Sequence, residues 1–311
     1  MNRRGSIRWS DIQERTSVSG IRLLFLIAHH WGRWPFRIIL YPILVWYILT
    51  SSIARYSSRD YLRKVLQFQE RRRRPGFLDV LKHFAAFGES LLDRLLLWTD
   101  GIEDSLVNIH GQEILDDFQA RGQGCLLVCA HMGNLELCKF LSKKRSDIRV
   151  TMLVHTLHSQ NWTRLLKKTA KNGYFEVMQV TEITPAEMIV LADEIQRGSF
   201  VVIAGDRVPV INHANTVSVP FLGDNAQFPI GPWIMGALLN CPVCLMTAVA
   251  ADGKYEVYFE SFRDKISIPR KDRKNVLCEI VSDYARRLEF YCQKYPYQWF
   301  NFYPFWEKQK G

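Results

Sequence analysis

The feature that most constrains this chain is the alternation that begins near residue 105. Short apolar runs, CLLVCA, RVTMLVH, FEVMQV, FVVIAGD, PVCLMTAVA and YEVYFE, alternate with helix-like segments, NLELCKFLSKK, SQNWTRLLKKTAKN, TPAEMIVLADEIQRG and PIGPWIMGALLN. Short apolar runs bounded by turn residues read as strands. Strands that alternate with helices give an α/β domain, a sheet covered by helices. A last helix is expected over about residues 273–294, followed by the aromatic tail YPYQWFNFYPFW. At 311 residues, 48% hydrophobic and 23% charged, the chain can bury one large core or two modest ones, and nothing marks it as disordered. No internal repeat or low-complexity linker interrupts it.

The first third is of another kind, which divides the chain into an N-terminal membrane-associated helical region, 1–104, and an α/β domain, 105–311. Residues 36–54, FRIILYPILVWYILTSSIA, are apolar from Ile38 to Leu49, which barely reaches the ~20 residues a bilayer crossing needs. The segment begins too far into the chain, and lacks the small-residue cleavage site, for a secretory signal. Arginines crowd both flanks, from Arg3 to Arg37 and from Arg55 to Arg74, so charge assigns no orientation. Basic flanks on both sides favour a helix that dips into one leaflet or lies along it, with Trp31, Trp34, Trp46 and Tyr47 near the headgroups. A single crossing and a buried core helix remain the alternatives. Beyond it, Leu78, Leu81, Phe84, Ala85, Leu91, Leu92, Leu95 and Leu96 recur at helical spacing, and Pro75-Gly76 separates two helices. The run RRRR at 71–74 is either a solvated helix end or a lipid-facing patch, where each basic residue near an anionic surface contributes ~1 kcal/mol.

A formal charge of +10 calls for an acidic partner. No aromatic–basic interleaving and no module of a nucleic-acid binder is present, so nucleic acid is not the expected partner. Several of the seven cysteines, Cys125, Cys129, Cys241 and Cys244 among them, sit inside apolar runs, the ordinary setting of buried reduced thiols and a mark of a reducing compartment. Cys241 and Cys244 form a C-x-x-C, but no second pair stands at zinc-ribbon spacing.

Where the run from Cys125 to Ala130 ends, His131 is followed five residues later by Glu136. Within one regular helix these two would stand about 140° apart and could not readily meet. His131 therefore precedes the helix: CLLVCA is the strand, HMG the turn, Asn134 the N-cap, and Leu135 onward the helix. Glu136 then falls in the first turn, where the dipole favours its anion, and reaches back to the imidazole. A carboxylate on one ring nitrogen leaves the other as a base for an attacking alcohol. Asp206 ends another run, FVVIAGD, and would share an edge with His131 if the two strands are parallel, since ligands in open α/β sheets bind outside the carboxyl ends of strands. Its other reading is a loop-capping carboxylate.

AHMGNLE resembles the H-x4-D/E motif of the glycerolipid acyltransferase superfamily. The order of features over nearly the whole chain is similar to the lipid A biosynthesis lauroyl/myristoyl acyltransferase family: an N-terminal apolar segment, SSRDYLRKV, the His-Glu motif, GDR before VSVPFLGDNAQFPIGPWIMGALLNCPV, and a terminal PYQWF. The resemblance implies the glycerolipid acyltransferase fold, a helix-covered mixed sheet, and transfer of a fatty acyl chain from acyl carrier protein to a lipid hydroxyl. The reaction would take place at the cytoplasmic face of a bacterial inner membrane, with no metal and no cofactor. It makes His131 the base, Glu136 its partner, and Asp206 the acidic residue after the later strand. Asp206, Arg207, Arg164, Asn134 and Gly133 would line the substrate. Thr184-Pro185 stand where members acting on lipid A carry an arginine, a role Arg207 or Arg164 would then take. The departure implies a divergent branch whose acceptor is another glycolipid, a lipid-linked pigment or an amino-acid lipid.

Gly223, Gly231 and Gly236 permit close backbone approach beside Phe221, Phe228, Trp233, Ile234 and Met235, which are either an acyl tunnel or plain core. Arg164, Lys167, Lys168 and Lys171 form a basic helical face, either a dock for acidic carrier protein or solvated surface. Two other classes stay open on sequence: a metal hydrolase using His131, His155 and His158, and a non-catalytic lipid-binding protein on the same scaffold.

Overall fold

The computed structural model describes residues 33–99, 103–138, 149–154, 175–180, 183–208 and 215–306. Among the described residues three helices come first: α1 (Arg33–Thr50), α2 (Ser52–Phe68) and α3 (Phe77–Thr99). In α1 the four-residue repeat Phe36, Leu40, Leu44, Ile48 makes one buried stripe, packed with Val80, Phe84, Ala85 and Leu92 of α3. The two helices run antiparallel, since Arg33 pairs with Asp93 and Arg37 with Glu89, both at 2.8 Å, while Tyr47 meets Phe84 edge-on. The rest of α1 stays apolar and unburied, with Trp34 71% and Trp46 60% exposed alongside Ile38, Ile43 and Leu49. Between α1 and α2 the chain bends by 97°, and no single described helix is long and apolar enough to cross a membrane. Pro75-Gly76 separates α2 from α3, as their sequence requires.

The remaining α-helices and strands among the described residues are β1 (Val107–His110), α4 (Gln112–Ala120), β2 (Leu126–Gly133), β3 (Val150–Val154), β4 (Phe175–Gln179), α5 (Pro185–Gln196), β5 (Phe200–Ala204), β6 (Thr216–Phe221), β7 (Asp224–Pro229), α6 (Gly231–Leu239), β8 (Val243–Ala251), β9 (Lys254–Arg263) and α7 (Arg273–Lys294). Seven strands form one sheet in the order β1-β9-β8-β2-β5-β3-β4. Strands β8, β2, β5, β3 and β4 are mutually parallel; β9 is antiparallel to β8, and β1 is parallel to β9. The sheet is thus mixed and parallel-rich, an α/β arrangement as the alternation of runs predicts, with the mixed strand directions that the family resemblance implies. The β8–β9 reversal sits at Asp252-Gly253, both at positive φ (52° and 78°), the Asp-Gly pair that a tight hairpin demands.

Period two sorts β2 between two layers. Leu126, Val128, Ala130 and Met132 join the larger core with α2, α5, α6, α7 and the β6–β7 hairpin, while Cys125, Leu127 and Cys129 join the smaller one with α4 and Leu97 of α3. The aromatic residues considered for an acyl tunnel belong to the larger core. Phe221, Phe228 and Trp233 are fully buried and pack on one another's neighbours Trp299, Phe305 and Tyr284. Burial of each such side chain stabilises the fold by about 1.5–3 kcal/mol. The hairpin β6–β7 was not among the expected strands. All described cysteines are free thiols, and burial raises Cys241 to about 11.

Candidate active site

Strand β2 is longer than its apolar run. The HMG expected as a turn continues the strand to Gly133, and His131 is the one half-buried residue in its eight. β5 stops pairing with β2 at Cys129↔Ala204, so the strand outruns its neighbour. Beyond that point Asp206, two residues past the end of β5, takes over: its Oδ2 accepts the His131 backbone N–H at 2.9 Å and its Oδ1 lies 2.7 Å from the ring Nδ1. The two strands are parallel, so both residues stand at the carboxyl edge where the sequence pattern places them.

A third donor reaches Asp206 from the end of the chain. Residues 298–300 lie antiparallel beside the tip of β2, with Gly133 N–H donating to Gln298 O at 2.8 Å and Phe300 N–H donating to His131 O at 2.9 Å. This seats the Trp299 indole N–H on Asp206 Oδ2 at 2.9 Å. Burial alone would raise the carboxyl of Asp206, but the charge and bond of His131, the Arg207 guanidinium and the Trp299 N–H outweigh it and hold it at about 2. An ionised carboxylate only accepts, so Nδ1 carries the proton and Nε2 keeps its lone pair. Burial, then Arg207 and Arg94, lower the imidazole below its ordinary value against the pull of Asp206, and the ring is neutral at pH 7. Its side chain is 28% exposed, against 2% for Asp206.

The expected contact of Glu136 with His131 is replaced. Asn134 does cap the chain after β2, its Oδ1 accepting from Glu136 N at 3.1 Å, but what it caps is the short 3-10 turn Leu135–Leu137. Because the strand runs on through Gly133, the imidazole faces the β5 side and the carboxylate of Glu136 turns to α3, where Arg94 Nε lies 3.1 Å from its Oε2. Gly133 is committed internally: its carbonyl accepts from Ser90 at 3.1 Å, and at φ 61° a Cβ would meet Ala248 O at 2.0 Å. Asn134 is buried, its N–H given to Ala248 O. The backbone N–H groups of both are bonded within the fold. Arg207 is half-buried and donates to Phe300 O at 3.2 Å, which ties it to the tail. Arg164, with the rest of the basic helical face, lies outside the described residues, as do His155 and His158. Thr184 and Pro185 open α5, Thr184 forming a capping box with Glu187. Among the described residues no group of three His, Cys, Asp or Glu side chains is arranged to hold a metal ion.

Sequence reasoning missed Trp299 and Arg94. The only signal for the first is the Trp of the terminal PYQWF, and for the second its helical position one turn past Ser90.

A family profile described as bacterial lipid A biosynthesis acyltransferase matches residues 81–308. The chain belongs to this family. The match takes in most of α3, the whole sheet and the tail that carries Trp299, and it begins after α1 and α2. No curated protein matches the chain significantly. Membership makes the protein an acyltransferase of lipid biosynthesis, with an acyl donor and a lipid acceptor.

Proposed function

We propose that this acyltransferase moves a fatty acyl chain from an acyl carrier protein thioester to a hydroxyl of a lipid or glycolipid, with His131 as general base. The observation that carries the reading is the neutral, partly exposed His131, its Nδ1–H held by an ionised Asp206. Nε2 takes the proton of the acceptor hydroxyl as its oxygen attacks the thioester carbonyl carbon. The tetrahedral intermediate then collapses, the C–S bond breaks, and the imidazolium returns its proton to the departing thiolate. Ester and free thiol result, and no serine or cysteine nucleophile is used. A carrier protein as donor is supported by the charge of +10, since acidic partners are steered to basic surfaces. The test is transfer by the purified protein from acyl carrier protein and from acyl-coenzyme A at low and high salt, with mass spectrometry of lipids from cells with and without the protein to identify the acceptor. Coenzyme A thioester serving equally well at low salt would overturn the donor assignment.

The base fixes the acid side of the pH profile. A histidine whose pKa is lowered stays neutral to lower pH, so the acid limb of kcat/KM, where the ring gains its proton, should have its midpoint below pH 6.5. A midpoint above 6.5 would contradict the desolvated ring.

Catalysis is proposed at the cytoplasmic face of the inner membrane, with residues 1–104 as the membrane-associated region and 105–311 as the catalytic domain. Support comes from the unburied apolar face of α1 and from the loop 71–74 at the far end of α2. There Arg73 is forked onto Asp79 at 2.7 and 3.0 Å, and Asp79 also accepts from Gly76 N and Tyr297 O–H. The loop so pinned exposes Arg71, Arg72 and Arg74 between the exposed Phe68, Phe77 and Leu78. A one-leaflet mode suits the 97° bend of α1–α2. The full-length protein should sediment with vesicles containing anionic phospholipid, and Arg71, Arg72 and Arg74 all changed to alanine should weaken partitioning by about tenfold or more. Equal binding of the triple variant would make the loop ordinary solvated surface.

A further inference from the structure

Two polar side chains of the N-terminal helices are fully buried and point toward the site. Ser58 on α2 and His83 on α3 are each 0% exposed. Ser58 Oγ lies 2.9 Å from His83 Nδ1, and His83 Nε2 lies 2.8 Å from the carbonyl oxygen of Trp299. A carbonyl only accepts, so Nε2 carries the proton and Nδ1 accepts from the Ser58 hydroxyl. Burial lowers this imidazole to about 4, with the Trp299 carbonyl pulling weakly the other way, so the ring stays neutral and does not titrate in the working range. Its surroundings are rings, Tyr61, Phe84, Phe300 and Phe302.

Trp299 is therefore held at both ends, by His83 on its carbonyl and by Asp206 on its indole N–H. Tyr61 of α2 closes on the indole edge-on at 5.0 Å. A bonded chain results, running Ser58, His83, Trp299, Asp206, His131, and every member but the last is buried.

We propose that Ser58 and His83 are positioning residues of the acyl transfer, fixing Trp299 so that its indole sets the orientation of Asp206 on His131. Neither touches the reacting atoms. Ser58 precedes residues 81–308, so the chain of bonds reaches beyond the stretch that the family match covers and makes α2 part of the catalytic apparatus. The proposal rests on His131 being the base. Small displacements of a reacting group are costly in rate, up to about 100-fold for 1 Å. The charged groups that face His131 are Asp206, Arg207 and Arg94. If the indole donor loosens, Asp206 is less satisfied, attracts the imidazolium more strongly, and raises the pKa of His131.

The experiment uses the full-length protein and compares His83→Leu, His83→Gln and Trp299→Phe with the wild type in kcat, KM and the pH profile of kcat/KM. His83→Leu leaves the Trp299 carbonyl without its donor, and kcat should fall about tenfold or more with KM little changed. The acid limb should move to higher pH. His83→Gln, whose amide N–H can reach the same carbonyl, should recover most of both. Trp299→Phe keeps a ring in the core and removes the N–H, and should reproduce the loss and the shifted limb. Wild-type kcat and limb in a folded His83→Leu protein overturn the proposal. If that variant does not fold, the same result in Trp299→Phe overturns it. His131→Ala, assayed alongside, separates the two readings: activity retained there removes the base, whereas a dead His131→Ala beside unaffected His83 and Trp299 variants removes only the positioning role.

Discussion

Replacing His131 with alanine should lower acyl transfer by about 100-fold or more while leaving the fold intact, because the general base is lost from the rim of the sheet and not from its packing. The side chain is 28% exposed and bonds to Asp206. The main-chain bonds that set the tip of β2, His131 N to Asp206 and Phe300 N to His131 O, do not need the ring. Asp206 keeps two of its three donors, the His131 backbone N–H and the Trp299 indole. The measurement is initial rate with an acyl carrier protein donor, paired with thermal unfolding of both proteins. A variant that retains more than a tenth of the wild-type rate removes His131 from the role.

The strands were legible because their signal is local and strong. Each of the six apolar runs lies on a strand, and the final helix falls at Arg273–Lys294, where its apolar spacing puts it. Pairing across the sheet was half legible: the carboxyl-edge rule places His131 and Asp206 together once the strands are parallel, but nothing in the sequence states that they touch. Sequence proximity favours Glu136, five residues from His131, over Asp206, seventy-five away. A single point of geometry reverses that order: β2 continues through Met132 and Gly133 instead of turning at His131, so that the ring faces β5 and the Glu136 carboxylate faces Arg94. The β6–β7 hairpin carries an alternation, Val217, Val219 and Phe221 then Ala226 and Phe228, but Pro220 and the polar Asp224-Asn225 interrupt it and weaken the strand signal. His83 and Trp299 were illegible for a deeper reason. A lone histidine on an apolar helix and a tryptophan in an aromatic tail are ordinary core residues until the packing of α3 against the tail brings them together.

Asp206→Asn should be about as damaging as loss of the base, on the order of 100-fold or more in kcat, and much more damaging than Glu136→Gln. The argument is one of donors and acceptors. The Trp299 indole N–H and the His131 backbone N–H both need an acceptor, and they share Oδ2. An asparagine meets them by placing its carbonyl oxygen there, which leaves its NH2 facing His131 Nδ1. That nitrogen must then accept, the ring proton moves to Nε2, and the lone pair that should take the substrate proton is gone. The protein remains folded with its base in the wrong tautomer. Glu136→Gln changes no bond to the ring: the amide oxygen still meets Arg94, and what is lost is charge in a buried ion pair, an effect on stability ahead of rate. Comparing kcat for the two variants, each corrected for its folded fraction, decides between the carboxylates. Should Glu136→Gln lower kcat as far as Asp206→Asn does in folded protein, the ring is oriented from the 3-10 turn during turnover and the Asp206 assignment fails.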